Sequence, residues 1–403
     1  MVRYRSTFLL FAAAVAMLIL MAAKHPRAQE RPALSDGFSC PLDPALTCVM
    51  KDLDNPRGLA FGPEGALYVA EAGRGAGVVT SPSTDPRCFV TNVGSTGCYG
   101  ATGAITRLWR GVQEHVATGL PSWAFPKGNQ AIGPADIGFL GRAAYITIGF
   151  ESDPLTRTTH PLIPDLALMG QLIHMSASGE YQFRSDIGQF EIVNNPDNGP
   201  VDTDPFGLHV EPGSVVVADA GANDLVRVAA NGDVSLLATF PSRRSSPPRT
   251  TDSVPTALTV GPDGAYYITE LSGVPFTAGA ANIYRLDPSL DNMPHVFTLG
   301  EAFLTGFKML MDLAFDRDGN LYVVQYASVG TQFNGPGLLI RIVPDKTQPD
   351  IRSQYQHGTR TTLLNNLTQA SSLVIGDDGA IYISNRGGTA GSGTVVRFIP
   401  PAL

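Results

Sequence analysis

Residues 55–71, Asn55-Pro-Arg-Gly-Leu-Ala-Phe-Gly-Pro-Glu-Gly-Ala-Leu-Tyr-Val-Ala-Glu71, are the best guide to the architecture, because similar sequences recur along the chain. This stretch joins an apolar strand, a tight turn rich in Pro and Gly, and a second apolar strand; the Gly supplies the positive φ that such a hairpin needs. The five further copies occupy residues 134–149, 204–219, 255–270, 311–325 and 370–385. Six copies predict that one structural unit is built six times.

A third strand follows each copy, as in Gly103-Ala-Ile-Thr-Arg-Leu108 and Gly393-Thr-Val-Val-Arg-Phe398. A fourth apolar run usually comes next, for example at residues 114–120, 235–240 and 295–299. Four short antiparallel strands, repeated at irregular spacings of roughly 50 to 75 residues, are typical of the blades of a β-propeller. We therefore predict an all-β, six-bladed β-propeller with four antiparallel strands in each blade.

The sixth copy ends at Phe398, close to the end of the chain, so its blade lacks a fourth strand of its own. Residues 47–53 stand just before the first copy, and we expect this N-terminal strand to pair into the last blade and close the ring. The predicted propeller domain then covers residues 47–403, after an extension at 29–46. The alternative is an open β-sandwich or a pair of small β domains, which six in-phase copies disfavour.

Residues 1–28 have the order of a secretory signal peptide, with Arg3 and Arg5 before an uncharged apolar run from Phe8 to Ala23. An uncleaved N-terminal anchor is the alternative. Without these residues the chain keeps 24 Lys and Arg against 36 Asp and Glu, so its net charge falls from −8 to −12. We expect a secreted or periplasmic monomer with no nucleic acid partner and no membrane contact beyond such an anchor.

The four cysteines form two local pairs, Cys40 with Cys48 and Cys88 with Cys98. Neither spacing is a C-x-x-C metal or redox motif. In an oxidising compartment each pair indicates a disulfide that closes a small loop. Four cysteines allow three pairings, of which local closure is the simplest.

Polar side chains end the second strand in five of the six copies. These residues are Glu71, Asp219, Glu270, Gln325 and Asn385. Since the strands of a blade alternate in direction, these ends lie on the same face of the ring as the starts of the innermost strands. The second copy is the exception, with Ile148-Gly149 and only later Glu151 and Asp153, while two first strands add Asp136 and Asp312. We predict that the seven oxygen-bearing side chains line the mouth of the central channel and bind a ligand there.

Carboxylate and amide oxygens at a narrow opening suit a hard cation such as Ca²⁺, which takes about six to eight oxygen ligands. They could instead hold a polar ligand or act as general acid and base. A structural alternative is that Asp, Asn and Glu end strands because they cap turns.

Three long connections open onto the same face: residues 73–102, 150–169 and 242–252. Long loops on a rigid scaffold commonly carry binding sites. The third contains Arg243, Arg244 and Arg249, which suit an anionic ligand or form a solvated basic loop. Among the seven histidines, His160 in the second connection is the one candidate for acid/base chemistry. The chain has no P-loop, H-E-x-x-H or G-x-S-x-G motif.

The sequence resembles the ScyD/ScyE family of bacterial proteins in three segments: residues 55–73, Cys98-Tyr-Gly-Ala-Thr-Gly-Ala-Ile-Thr-Arg107 and Gly133-Pro-Ala-Asp136. The resemblance extends over essentially the whole mature chain and implies an exported propeller, without implying a reaction. NHL-repeat and SMP-30/gluconolactonase-type propellers share the Pro-Asp-Gly-x-Leu-Tyr-Val core. Resemblance to the SMP-30 type implies a divalent cation at the channel mouth. By position, its ligands here are Glu71, Asp219, Glu270 and Asn385.

Two functional hypotheses follow from these observations. The first is an accessory propeller without catalytic activity, which binds a small polar ligand, a glycan or a protein at the loop-rich rim. The alternative is a divalent-metal-dependent hydrolase or lactonase with Asp136 or Asp312 as base. The resemblance to propellers of the SMP-30 type implies four cation ligands, whereas this chain has polar side chains at five of its six second-strand ends and none at the second copy. This difference weakens the lactonase hypothesis.

Overall fold

The computed structural model describes residues 43–403, except 92–93, 161, 246–248 and 290–293. The predicted signal peptide at residues 1–28, most of the predicted extension and Cys40 therefore lie outside the described residues. Helices are few and short in the described part: the α-helices are Ile187–Asn194 and Ile351–Gln356, and the 3-10 helices are Pro154–Thr158, Pro164–Leu168 and Leu299–Glu301. A helix long and apolar enough to cross a bilayer is not found among the described residues.

The strands form six blades, each with four antiparallel strands, so the predicted six-bladed β-propeller is confirmed. From the innermost strand outwards, blade 1 contains Pro56–Phe61, Leu67–Glu71, Thr96–Trp109 and Val112–Ala124; blade 2 contains Pro134–Leu140, Ala143–Ile148, Gln171–Met175 and Tyr181–Asp186; blade 3 contains Pro205–Glu211, Ser214–Asp219, Asp224–Ala229 and Val234–Thr239. Blade 4 contains Pro255–Val260, Tyr266–Glu270, Ala281–Leu286 and Leu304–Phe307; blade 5 contains Leu310–Phe315, Leu321–Gln325, Gly337–Val343 and Thr359–Leu367; blade 6 contains Ser372–Ile375, Ile381–Asn385, Gly393–Phe398 and Leu46–Leu53.

The innermost strands form a ring. Each contacts the innermost strand of the next blade, and Ser372–Ile375 of blade 6 contacts Pro56–Phe61 of blade 1. The outer strand of blade 6 comes from the N-terminal part of the chain: Leu46–Leu53 pairs antiparallel with Gly393–Phe398, with Leu46 opposite Phe398 and Leu53 opposite Gly393. Two distant parts of the sequence thus share one sheet.

The core lies between the faces of neighbouring blades. Three second strands, Leu67–Glu71, Tyr266–Glu270 and Leu321–Gln325, are buried at every position because blades cover both of their faces. Tyr267 shows the packing: its ring meets those of Phe303 and Phe315 edge-on, with centroids 4.9 Å away in both cases. Burying an aromatic side chain of this size stabilises the fold by about 1.5–3 kcal/mol.

One predicted strand lies elsewhere. Residues 295–299 were expected to supply the fourth strand of blade 4, but Leu304–Phe307 occupies that place. His295–Val296 instead pairs parallel with the outer strand of blade 3, Val234–Thr239. The reason is aromatic packing, because the Phe297 ring stacks on Phe240 with centroids 5.2 Å apart.

The described parts of the three long connections contain strands or short helices. In the first, Cys88–Val90 pairs with the start of Thr96–Trp109, and the predicted disulfide between Cys88 and Cys98 is present. The second contains the 3-10 helices Pro154–Thr158 and Pro164–Leu168, and the third is a hairpin of Arg243–Ser245 with Arg249–Thr251. The other predicted disulfide involves Cys40, which lies outside the described residues.

Candidate functional site

A cavity of about 470 Å³ opens where the innermost strands begin; we call it the mouth cavity. Five blades contribute the second residue of their innermost strand to its wall: Arg57, Ala135, Phe206, Thr256 and Met311. All three long connections also border the cavity, through Ser95, Glu151 and Asp252. The cavity therefore lies on the face on which the sequence predicts a site.

Arg57 places a positive charge at the wall of this cavity, where its side chain is 9% exposed. Its Nη1 donates to the carbonyl oxygen of Gly387, and its Nη2 donates to that of Ala131 at 2.7 Å. Burial lowers the pKa of Arg57, whereas Tyr326, Asp204 and Glu151 raise it. Since an arginine in a protein stays protonated, the guanidinium remains a fixed cation.

Four carboxyl groups line the mouth cavity, from Glu151, Asp202, Asp204 and Asp252, and two of them, Glu151 and Asp204, act on the charge of Arg57. Glu151 is exposed to the cavity and has a φ of 50°, an uncommon left-handed conformation for a residue with a side chain. Desolvation by the surrounding protein raises the pKa of Glu151, and the positive charge of Arg57 lowers it. Asp204 accepts the backbone N–H of Phe150 at 3.0 Å, and burial, followed by the negative charge of Glu151, raises its pKa well above the usual value. The cavity thus holds one fixed cation beside carboxyl groups that accept protons easily.

Aromatic rings also line the mouth cavity. Phe333 is 50% exposed, and its ring lies 5.2 Å from that of Phe276 and 5.7 Å from that of Tyr326. The Tyr326 hydroxyl and the Gln130 amide contact each other at 3.2–3.3 Å. A site that contains both charged groups and aromatic faces suits a ligand that is both polar and flat.

The side chains that end the second strands turn toward the segment that leads into their own blade. The backbone N–H of that segment donates to the side-chain oxygen, as in Asp54 to Glu71 at 2.6 Å and Thr368 to Asn385 at 2.7 Å. The other cases are Asp204 to Asp219 at 2.6 Å, Lys308 to Gln325 at 3.0 Å, and the Ser253 hydroxyl to Glu270. These bonds satisfy donors that lie outside the strand ladders, as the turn-capping alternative predicts.

Asp136 and Asp312 lie on innermost strands and join them to the next blade. Asp136 Oδ2 accepts the N–H of Leu208 at 2.9 Å, and Asp312 Oδ2 accepts that of Leu373 at 2.9 Å. Burial raises the pKa of Asp312 to about 6, and it raises that of Asp136 well above the usual value with a smaller contribution from Asp312. Both carboxylates therefore hold the ring together.

None of the seven predicted side chains is among the described residues that line the mouth cavity. Within the described ranges, no three His, Cys, Asp or Glu side chains form a group that could hold a metal ion. The ligand role of the seven, and the cation set Glu71, Asp219, Glu270 and Asn385, remain predictions. Among the other candidates, His160 packs against Phe89 with ring centroids 4.6 Å apart, and Arg243 forms a buried ion pair with Glu270.

The sequence did carry a signal for Arg57. In blades 2 to 5 the second residue of the innermost strand is uncharged: Ala135, Phe206, Thr256 and Met311. In blade 1 the same position holds the charged residue Arg57. An alignment of the six copies at this position therefore singles out Arg57, whereas an alignment of the ends of the second strands does not. Glu151 and Asp204 depend on loop conformation, which the repeat does not encode.

No family model and no curated protein matches this chain. Its structure is similar to a glucose dehydrogenase, with 14% identity, a TM-score of 0.50, and coverage of 89% of this chain and 100% of that one. It is also similar to the PQQ-bound form of an aldose sugar dehydrogenase from Streptomyces coelicolor, with 11% identity, a TM-score of 0.47, and coverage of 89% and 99%. A third similar structure is a catalytically inactive virginiamycin B lyase from Staphylococcus aureus with quinupristin, at 11% identity, a TM-score of 0.45, and coverage of 88% and 98%. At these identities the similarity shows the propeller fold alone.

Proposed function

We propose that the protein binds a small polar ligand with several hydroxyl groups, such as a short glycan, in the mouth cavity. The observation that carries the proposal is the placement of Arg57, Glu151 and Asp204 in one cavity with an aromatic wall. Hydroxyl groups donate to carboxylates and accept from a guanidinium, while the apolar face of a sugar ring packs on an aromatic side chain. The cavity volume of about 470 Å³ falls in the usual range of small-molecule sites, about 300–1,000 Å³.

Calorimetric titration with a panel of mono- and disaccharides tests this proposal. Glu151→Gln and Phe333→Ala should each weaken the binding of the best sugar roughly 10- to 100-fold, because each removes a contact in the cavity. The matched control is Asp377→Asn, whose carboxylate is fully exposed in a hairpin turn, and it should bind like the wild type. The proposal fails if no sugar binds, or if both cavity variants bind the sugar with unchanged affinity.

We also propose that the protein is exported and belongs with ScyD/ScyE-like propellers. The disulfide between Cys88 and Cys98 supports export, because disulfides form and persist in oxidising compartments. Intact-mass analysis of the protein from a bacterial periplasm or culture medium should show a chain that begins near residue 29. A chain that keeps residues 1–28 and stays with the membrane would instead support the anchor.

The metal-dependent hydrolase remains the alternative function, with Asp136 or Asp312 as base. The carboxylates of both residues accept backbone N–H groups of the neighbouring blade, and the mouth cavity is lined by other residues. Binding is therefore the function we propose. Hydrolysis of lactones by the purified protein, lost in a folded Asp312→Asn variant, would favour the alternative.

A further inference from the structure

An oxygen-rich segment leads from helix Ile187–Asn194 to the innermost strand of blade 3. It packs against the turn between the second and third strands of that blade: Thr203 Oγ1 donates to Asp219 Oδ2 at 2.6 Å, and Asn223 Nδ2 donates to Asp197 Oδ2 at 3.0 Å. Asp219 and Asp224 are direct cross-strand partners. The negative charges of Asp219, Glu191 and Asp197 all act on Asp224, so acidic side chains from the helix, the segment and the turn lie near one another beside blade 3.

Several oxygen atoms in this region are buried without a hydrogen-bond partner among the described residues. Both carboxylate oxygens of Glu191 and both of Asp224 are in this state, and each residue is only 1% exposed. The amide oxygen of Asn195 is a fifth such atom, and Asn195 is the left-handed residue that ends the helix of Glu191. Burying carboxylate oxygens without a partner is costly, so their placement requires a compensating group.

The charges around these groups are negative. Burial, Asp219 and Asp197 raise the pKa of Glu191 to about 8. The backbone N–H of Asp202 lies close enough to lower this pKa, but it is not in hydrogen-bonding geometry with either carboxylate oxygen. Burial, Asp219 and Glu191 raise the pKa of Asp224 well above the usual value. Two other buried carboxylates of this protein are paired with an arginine.

Glu270 pairs with Arg243, and Asp54 pairs with Arg74 at 2.6 Å. No cationic side chain is among the causes acting on the pKa of Glu191 or Asp224. Asp136, Asp219 and Asp312 also lack one, but a backbone N–H donates to each of their carboxylates. Protonation alone would not resolve the problem, since a carboxylic acid gains an O–H that itself needs an acceptor.

We propose that Glu191, Asp224 and Asn195, none of which lines the mouth cavity, bind one Ca²⁺ ion beside blade 3. The five side-chain oxygens suit Ca²⁺, which takes about six to eight oxygen ligands in irregular geometry, and the set contains no sulfur or nitrogen ligand that would favour zinc. The two carboxylates and one amide supply fewer oxygens than Ca²⁺ needs, so peptide carbonyls or water complete the coordination. The ion ties the segment before Pro205 to the blade, and this segment carries Asp204 into the mouth cavity.

The test uses the whole exported chain, treated with EGTA and then titrated with CaCl₂ in a calorimeter. We expect one ion per chain and a rise in Tm on adding Ca²⁺. Asp224→Asn should lower the Ca²⁺ affinity at least about 100-fold, because ligand charge sets the affinity of such sites. In EGTA this variant should melt no lower than the wild type, since it replaces a buried carboxyl group that lacks a partner. In CaCl₂ it should melt below the wild type.

Glu191→Gln is the second variant if Asp224→Asn does not fold, and the same loss is expected. Glu151→Gln in the mouth cavity is the control and should keep wild-type Ca²⁺ affinity, which separates this site from the sugar-binding proposal. A wild-type protein that binds no Ca²⁺ and keeps its Tm in millimolar CaCl₂ would overturn the inference. So would an Asp224→Asn protein with wild-type affinity, or one whose Tm falls equally with and without Ca²⁺.

Discussion

The third residue of an innermost strand lies between that strand and its neighbour in the ring. In blade 2 this residue is Asp136, whose carboxylate bonds to blade 3, and in blade 1 it is Gly58. A Cβ on Gly58 would lie 2.0 Å from Asp136 Oδ1 and 2.6 Å from Asp136 Cα. Gly58 is therefore required by the close approach of two blades.

Gly58→Ala should destabilise the protein by about 2–3 kcal/mol, because the backbone of Asp136 must move to make room. Urea denaturation measures the change. Gly300→Ala is the control, since its nearest neighbour is Thr298 Oγ1 at 4.0 Å, and it should stay within about 0.5 kcal/mol of the wild type. Equal stabilities of the Gly58→Ala protein and the wild type would contradict the packing described for these two blades.

At the scale of elements, the hairpin of Arg243–Ser245 and Arg249–Thr251 is held to blade 4 by one buried ion pair. The side chains of Arg243 and Glu270 are 12% and 0% exposed. Burial raises the pKa of Glu270 to about 7, and Arg243 limits the rise. The hairpin therefore depends on a charge that sequence reasoning assigned either to a ligand or to solvent.

Arg243→Met should destabilise the protein by about 3–5 kcal/mol at pH 8 and by less at pH 5. The folded-state pKa of Glu270 is raised above its ordinary value, so folding favours the protonated form, and stability falls as pH rises toward and through the folded pKa. Loss of Arg243 raises this pKa further, which increases the loss of stability at high pH. Urea unfolding at the two pH values checks the prediction.

The matched control for this pH dependence is Arg317→Met. Its partner is Asp377, and both side chains of that pair are exposed, so the change should stay within about 0.5 kcal/mol at both pH values. An Arg243→Met protein with the same loss of stability at pH 5 and pH 8 would show that Glu270 does not titrate as described.

At the scale of the whole molecule, the strand Leu46–Leu53 covers the edge of Gly393–Phe398. Met50 and Leu53 are 1% and 0% exposed, so this strand contributes to the core as well as to the sheet. An uncovered strand edge offers unpaired N–H and C=O groups to other chains.

A chain that begins at Asp54 should aggregate or form soluble oligomers, because the edge of Gly393–Phe398 is then free to pair with other copies. Size-exclusion chromatography of the shortened and full-length proteins tests this. Lys51→Ala, at an exposed position of the same strand, should elute and melt like the wild type. A shortened chain that elutes as a monomer with an unchanged Tm would contradict this role of the strand.

Much of the fold was predictable from the repeat, because hairpin turns and alternating apolar strands are local features. The cysteine pair at 88 and 98 was predictable for the same reason. The fourth strand of blade 4 was not predictable, since residues 295–299 are apolar enough to be that strand and yet pair with blade 3. Their position depends on aromatic packing with Phe240, a contact between two blades.

The number of blades, the strands of each copy and the face on which the long connections gather could be predicted from the amino-acid sequence, because all three follow from repeat order and strand direction. The side chains that line the mouth cavity could be identified from the folded molecule alone. Glu71 and Asn385 are at the right end of their strands, yet their oxygens bond to the N–H groups of the segments that lead into their blades. Arg57, Glu151 and Asp204 meet in the cavity because blade packing and loop conformation bring distant residues together, which no local pattern encodes.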